Sequence, residues 1–427
     1  MKKTRILTGI TTSGTPHLGN YVGAIRPAIE ASKKDDVESF FFLADYHALI
    51  KTDEPARIQR STLEIAATWL ACGLNPEKVY FYRQSDIPEI PELTWLLTCV
   101  TSKGLLNRAH AYKAANDANR EKGDDADAGI TAGLYMYPVL MAADILIFNA
   151  NKVPVGRDQV QHIEMARDIG QRFNYLYGGG SKWDQMSWEN FRFDEKGKEF
   201  FVLPEAVIDE NVATLPGLDG RKMSKSYNNT IPLFEGGEKA LEQAIMSVVT
   251  NSDRPESADA VKGSALYQII GAFGGDFHQA IAQRFHQTDP SARGWGTLKK
   301  HAIETVNRAI GDYRNEYARL MANPDEVEDK LQEGAQRVRK IAEKRIAVIR
   351  EAVGLRSLRS REQKTEAKTS RVEKPTLQLL VYRDDDKTFA FKIHDAKKNV
   401  LATQSGFADP KKAKDAAQSA MDALGNA

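Results

Sequence analysis

Two clusters, far apart in the chain, hold side chains able to handle a phosphate group. The first is Thr8-Gly9-Ile10-Thr11-Thr12-Ser13-Gly14-Thr15-Pro16-His17-Leu18-Gly19-Asn20. An apolar stretch passes through small residues into a helix-like segment, a geometry that aims backbone N–H groups and the positive helix end at an anion. Gly14 and Gly19 would let a nucleotide approach the backbone, and His17 and Asn20 would add donors to phosphate oxygens. Alone, a His before a helix serves equally well as a cap or a packed side chain. The second cluster is Leu215-Pro216-Gly217-Leu218-Asp219-Gly220-Arg221-Lys222-Met223-Ser224-Lys225-Ser226. Pro and two Gly make a pliable loop from which Lys222 and Lys225 can swing onto a triphosphate. As point charges they suit negative charge that develops during phosphoryl chemistry. Taken alone, this stretch reads equally as an exposed basic turn.

Two further stretches carry binding chemistry. In residues 133–148, Asp144 lies inside an otherwise apolar helix. A buried carboxylate is costly unless a donor meets it. Helical spacing puts Tyr137, Met141 and Asp144 on one face, which would present an apolar wall, a phenol and one acceptor. An indole N–H, a donor with no acceptor capacity, is a sensible complement; an internal Arg or backbone partner is the plain alternative. Next, Val153-Pro154-Val155-Gly156-Arg157-Asp158-Gln159-Val160-Gln161-His162-Ile163-Glu164 leads into a helix starting near Asp158. Asp158 could serve merely as the helix cap, a common use of Asp. Gln159 could hold a substrate ammonium or carboxylate, or face solvent.

The elements that must position these residues form a β-α-β-α rhythm in the first half. Strands are expected at residues 5–10, 39–44, 79–83 and 200–203, and helices at 19–31, 55–72, 137–150 and 158–173. Residues 39–44 form a continuous apolar run, as in a strand buried on both faces. The pattern implies a parallel α/β sheet, Rossmann-like, with helices on both faces. Residues 88–133 read as a helical insertion whose polar middle, 116–127, is expected to be a mobile loop. The expected division is a catalytic domain at 1–232, a helical domain at 233–354, a linker at 355–375 and a small β-β-β-α module at 376–427. No chemistry is assigned to residues 177–198. The 427 residues suit such a multidomain chain, and a net charge of +1 leaves nucleic-acid contact to local basic surface. Two cysteines, Cys72 and Cys99, build neither a disulfide framework nor a Cys-x-x-Cys zinc site. The N-terminus lacks a signal-peptide pattern and no window approaches a membrane span, so a cytoplasmic protein is expected.

Together the two phosphate-type clusters change the reading. His17-Leu18-Gly19-Asn20 resembles the HIGH motif, and Lys222-Met223-Ser224-Lys225-Ser226 spells the KMSKS motif, of class I aminoacyl-tRNA synthetases. The stretches around Asp144 and Asp158, with residues 9–23, resemble the tryptophanyl members of that class over about residues 4–354. The resemblance implies in-line attack of an amino-acid carboxylate on the α-phosphorus of ATP, with Mg²⁺ on the released pyrophosphate. It then implies transfer of tryptophan to the 2′-OH of the terminal adenosine of tRNA(Trp). His17, Asn20, Lys222 and Lys225 are the implied catalytic residues. The implied ATP contacts are Thr11, Ser13, His17, Gly19, Asn20, Lys113, Gly156, Arg157, Asp158, Ala213 and residues Lys222, Met223, Ser224, Lys225 and Ser226. Thr11 stands where many members have Gln. Asp144 would accept the indole N–H, with His47, Met141, Val153 and Val155 lining the pocket and Tyr137 and Gln159 holding the α-amino or carboxylate end. No metal ligands are expected from the chain. A homodimer and an anticodon-reading helical domain are implied as well.

The last helix before the linker, expected at 327–353, carries Arg337, Arg339, Lys340, Lys344, Arg345 and Arg350. These fit phosphate contacts or a solvated basic face. The linker holds Arg356, Arg359, Arg361, Lys364, Lys368, Arg371 and Lys374 against Glu362, Glu366 and Glu373. It reads equally as a tRNA tether or as a spacer with a solubilising tail.

Overall fold

The apolar run at residues 39–44 belongs to β2 (Val37–Ala44). Its side chains alternate, with Phe41 and Leu43 in one core and Phe40, Phe42 and Ala44 in the other, as a period of two requires. β2 lies between β1 (Thr4–Thr11) and β3 (Tyr80–Arg83), and β4 (Lys152–Pro154) and β5 (Glu205–Val207) extend the sheet beyond β1. All four pairings are parallel, in the order β3-β2-β1-β4-β5. The expected Rossmann-like sheet is therefore present, with an apolar core on each face. The computed structural model describes residues 3–12, 14–178, 199–208, 214–355, 377–395 and 399–425. Residues Met1–Gly354 form one unit and Leu355–Ala427 a second.

The chain lays β1, β2 and β3 outward in one direction, then returns past β1 to place β4 and β5. Such a reversal is where open parallel sheets bind ligands, at the carboxyl ends of their strands. β1 and β4 share one register pair, Ile6↔Lys152. Just below it Asn151 locks the two segments, its side chain accepting from Arg5 N–H and its own N–H reaching Arg5 O, each at 2.9 Å.

Several elements differ from their sequence expectations. Residues 116–122 are not loop; they complete the helix His110–Lys122, which ends at Gly123 in the left-handed region (φ 79°). The polar residues expected to be solvated bond back onto the helix instead: Asn119 donates to the carbonyls of Ala126 and Ala128, and Tyr112 to Asp127. Residues 200–203 form no strand, because the buried Asn174 side chain holds Phe200 N–H and Phe201 N–H (3.0 and 2.9 Å). The strand falls instead at β5. The helix carrying Asp144 runs Ala132–Leu146, starting earlier than expected because Thr131 caps Leu134 N–H. The following helix is Val160–Tyr177, preceded by a single 3₁₀ turn, Arg157–Gln159. Asp158 sits within that turn and is not the helix cap. The first helical segment is interrupted by a π turn, Tyr21–Ile25, between Leu18–Asn20 and Arg26–Ser32.

From residue 237 onward the first unit is helical and ends in two long helices, Trp295–Ala322 and Pro324–Ala352. The last packs against β3, the edge strand. Its Gly334 approaches so closely that a Cβ there would stand 1.8 Å from Phe81 O. Its basic side chains are largely committed to the sheet and the neighbouring helix. Arg337 donates to the carbonyls of Pro76 and Val79 (2.6 and 3.2 Å) and covers the Tyr80 ring. Arg345 reaches Asn149 Oδ1 and Phe200 O, Arg339 pairs with Glu89 at 2.8 Å, and Arg350 pairs with Glu92. Arg337 and Arg345 are thus fastened to the sheet and its flanking loops, whereas Arg339 and Arg350 are paired but remain 39% and 49% exposed, on the solvated side of the helix. Lys340 and Lys344 remain exposed.

The second unit is an antiparallel sheet, β6 (Gln378–Arg383), β7 (Phe389–His394) and β8 (Val400–Phe407), in sequence order, followed by the helix Pro410–Gly425. The expected β-β-β-α arrangement is present, with Phe391, Ile393 and Ala417 in its core. The linker from 356 onward lies outside the described residues, as does most of 177–198.

Gly334→Ala tests the helix–strand approach. A Cβ that meets backbone has no flexible neighbour to displace, so a loss of about 1–3 kcal/mol is expected as overpacking. The measurement is a lowered urea unfolding midpoint; an unchanged midpoint would show that the approach is not tight.

Candidate active site

A cavity of about 800 Å³ opens at the carboxyl end of β1. The first cluster forms one wall. His17 is 7% exposed and caps Leu18–Asn20 reciprocally, its N–H donating to Asn20 Oδ1 (3.1 Å) while Asn20 N–H donates to His17 Nδ1 (3.2 Å). The cap and the functional reading are thus compatible. Burial, then the Lys225 charge, lowers the His17 pKa to about 4, which keeps the ring neutral at pH 7. Since Nδ1 accepts, the ring proton sits on Nε2, making that atom a donor. Gly14 takes φ 77°, which favours glycine, and a Cβ there would stand 3.1 Å from Lys225 Nζ.

The second cluster forms the opposite wall. Pro216 and Lys222 bridge across the loop, Met223 N–H reaches Leu215 O (2.9 Å), and the buried Met223 sulfur sits 3.3 Å from Gly19 N. Asn229, 2% exposed, fixes the bend: its Oδ1 accepts from Ser224 N–H (2.8 Å) and its Nδ2 donates to Lys222 O (3.1 Å) and Asp219 Oδ1 (2.7 Å). Sequence reasoning missed Asn229, which lies just past the quoted motif. Ser224 and Ser226 hydroxyls meet at 2.8 Å. Burial and the charges of Arg57 and Lys51 lower the Lys225 pKa, with Glu64 opposing. Backbone ties the first cluster to the segment just past the second, through Leu18 N–H to Ile231 O (3.0 Å) and Leu233 N–H to Pro16 O (3.3 Å).

A second cavity, about 500 Å³, lies beside the first. Its lining includes His47, Tyr137, Met141, Asp144, Val153, Val155 and Gln159, so every residue expected around an aromatic amino acid is brought together. Asp144 is 1% exposed and is met at its end of the cavity by two donors. His47 Nε2 lies 2.9 Å from Oδ2, and Gln84 Nε2 donates to Oδ1 and Oδ2 at 2.8 and 3.0 Å. Burial raises the Asp144 pKa, and the contacts with His47 and Gln84 oppose it. Gln84, fully buried at the carboxyl end of β3, was missed; a polar residue directly after a strand of a parallel sheet was the available signal. At the other end of the cavity Tyr137 Oη bonds His162 Nε2, and burial pushes the Tyr137 pKa up to about 12.

The two cavities share Gly9, Thr11 and Gly156. Gly19, Asn20, Lys222, Met223, Ser224, Lys225 and Ser226 line the first cavity. Lys113, Arg157 and Asp158 line neither and are exposed. Ser13 and Ala213 lie outside the described residues. Among the described residues no group of three or more His, Cys, Asp or Glu could hold a metal, and no helix is long and apolar enough to cross a membrane.

A parallel sheet here joins a loop able to cradle an anion to an apolar pocket with one buried carboxylate, an arrangement that can hold a nucleotide beside a small molecule with an apolar body. Residues 1–311 match the family model for class I tRNA synthetases (W and Y). Over 96% of this chain, the tryptophan–tRNA ligase of Pseudomonas aeruginosa is 58% identical (87% of that protein covered), and that of Xanthomonas axonopodis pv. citri 56% identical (90% covered). A crystal structure of tryptophanyl-tRNA synthetase from Campylobacter jejuni, complexed with ADP and tryptophan, superposes with a TM-score of 0.70 at 37% identity, covering 82% of this chain and 100% of that one. The chain therefore belongs to the class I tRNA synthetases for tryptophan and tyrosine, and within them to the tryptophanyl-tRNA synthetases. The two bacterial ligases align over more of the chain than the portion preceding the C-terminal unit, so that unit is at least partly shared with them.

Asn229→Ala should loosen the lysine loop without unfolding the sheet. A buried hydrogen bond is worth about 1–2 kcal/mol locally, so amide exchange across residues 219–227 should rise about tenfold or more. Unchanged exchange by mass spectrometry would show that the loop is held by something else.

Proposed function

We propose that the chain activates L-tryptophan with ATP to tryptophanyl-adenylate and pyrophosphate, then transfers tryptophan to the 2′-OH of the terminal adenosine of tRNA(Trp). The observation that carries this is the backbone common to both cavities, at Gly9, Thr11 and Gly156. A nucleotide in the first cavity and an amino acid in the second would meet there, as in-line attack of a carboxylate on an α-phosphorus requires.

Asp144 and Tyr137 are separated by seven residues of one helix, or about 10 Å along its axis. An indole against Asp144 therefore places the amino-acid head near Tyr137 and Gln159. A carboxylate offers about four lone-pair sites; His47 and Gln84 occupy three, which leaves one for the indole N–H. Met141, Val153 and Val155 supply the apolar walls. In the nucleotide cavity the His17 Nε2–H and the Asn20 side chain face the phosphates. Lys222 and Lys225 stabilise the charge that develops as pyrophosphate leaves, and no covalent nucleophile is needed. Gly19, Gly156, Thr11 and the loop from Lys222 to Ser226 complete the ATP site, with Mg²⁺ entering on the phosphates. Lys113, Arg157 and Asp158 would reach ATP only on closure around it. The helical region after residue 233 is read as the anticodon-binding part. The working enzyme is read as a cytoplasmic homodimer.

ATP–pyrophosphate exchange with each amino acid tests the reading: exchange with tryptophan alone is expected, and none with any amino acid from folded protein would overturn it. In the same assay Asp144→Asn should lower kcat/KM for tryptophan by about 1.5–3 kcal/mol, since an amide keeps one acceptor oxygen but loses the charge. An unchanged value would remove Asp144 from the indole site.

A further inference from the structure

Behind the second cavity lies a chain of hydrogen bonds whose direction is set at one end. The Asp158 carboxylate can only accept, and Gln159 Nε2 donates to its Oδ2 at 2.8 Å. That turns Gln159 Oε1 toward His162 Nδ1, at 3.1 Å. An amide oxygen has no proton to give, so this contact requires a proton on Nδ1. The opposite amide orientation would set a carbonyl against the Asp158 carboxylate and an N–H₂ against Nδ1. His162 is 2% exposed, and burial, reinforced by His110 and His47 and opposed by Asp158, holds its pKa below the ordinary value. The ring is therefore neutral at pH 7, and a neutral ring protonated on Nδ1 is acceptor-only at Nε2. Nε2 contacts Tyr137 Oη. The phenolic proton is thereby committed inward, and the lone pairs of the oxygen remain for the cavity that Tyr137 lines.

We propose that His162 is a positioning residue that, held as its Nδ1–H tautomer by Gln159 and Asp158, makes Tyr137 Oη an acceptor toward the cavity, so that this end selects the substrate's ammonium rather than its carboxylate. The proposal rests on the tryptophan reading above and deepens it. It names a residue that lines neither cavity. His162 itself touches no substrate: its effect is on the direction of another residue's hydrogen bond.

Two measurements decide the matter. Calorimetric titration with tryptophan and with indole-3-propionate, which keeps the indole and carboxylate but lacks the ammonium, gives a ratio of dissociation constants for the wild type and for His162→Leu. Losing the inward acceptor frees the phenol to donate into the cavity. Tryptophan should then weaken about tenfold, as loss of a hydrogen bond to a charged group implies, while indole-3-propionate changes by less than about twofold, within the scatter of sites left untouched. Equal weakening of both ligands would assign His162 a merely structural role and overturn the proposal. A wild type that binds neither ligand would overturn the tryptophan reading itself, and the proposal with it. The second measurement needs no functional variant. In wild-type protein carrying ¹⁵N-histidine, the His162 resonances, assigned by their loss in His162→Leu or by sequential correlation, report the tautomer. A proton on Nδ1 supports the proposal; a proton on Nε2 overturns it.

Discussion

The reversal of strand order between β1 and β4 is the constraint on which the site depends. Backbone that is not engaged by a neighbouring strand must find another partner, and here one register pair is all that joins the two strands. Above it, Gly9 and Thr11 from β1 and Gly156 from the turn after β4 line both cavities. Each strand then delivers one half of the chemistry. On the proposed reading the loop after β1 is the anion cradle, and the turn after β4 with the helix it opens brings Gln159 and His162 to the amino-acid end. Asn151, which joins the two segments below the fork, explains why the opening does not propagate through the sheet.

The site is built largely from neutral polar groups whose hydrogen-bond direction is set by burial. His17 is kept uncharged beside Lys225, so the lysine retains its role as the local positive charge. Asp144 is the buried carboxylate, and it is met by a histidine and an amide rather than by arginine or lysine. On the proposed reading, a full positive partner there would consume acceptor capacity that an indole needs. The contrast with the Pro324–Ala352 helix is instructive. There, charge is used as mechanical fastening, with arginines spent on carbonyls and on Glu89 and Glu92.

Much of this was legible in the sequence because it rests on local pattern. The period of two in β2, the helical spacing of Tyr137, Met141 and Asp144, and the contiguous lysine motif each involve residues close together in the chain. The misses have the opposite character. Gln84 matters because it meets Asp144 across 60 residues, and Asn229 because it closes a loop on itself. The polarity of residues 116–122 predicts a loop, whereas Asn119 finds carbonyl partners once the chain turns at Gly123. The basic helix fits phosphate contacts or a solvated face in the sequence, because the partners of its arginines come into view only when β3 and the Glu89–Thr98 helix lie against it. Long-range satisfaction of polar groups leaves no periodic trace.

The same helix bears on how the protein is made. β3 is an edge strand, and an uncovered edge invites pairing with other chains. Its cover arrives from the far end of the unit, with Arg339 and its partner Glu89 separated by 250 residues. On a ribosome the sheet-forming segments emerge first and stay exposed along that edge for most of translation. A nascent chain that stops short of Gly334 carries both synthetase signatures and an open sheet edge, so quality control, not catalysis, is where such a fragment would first be noticed.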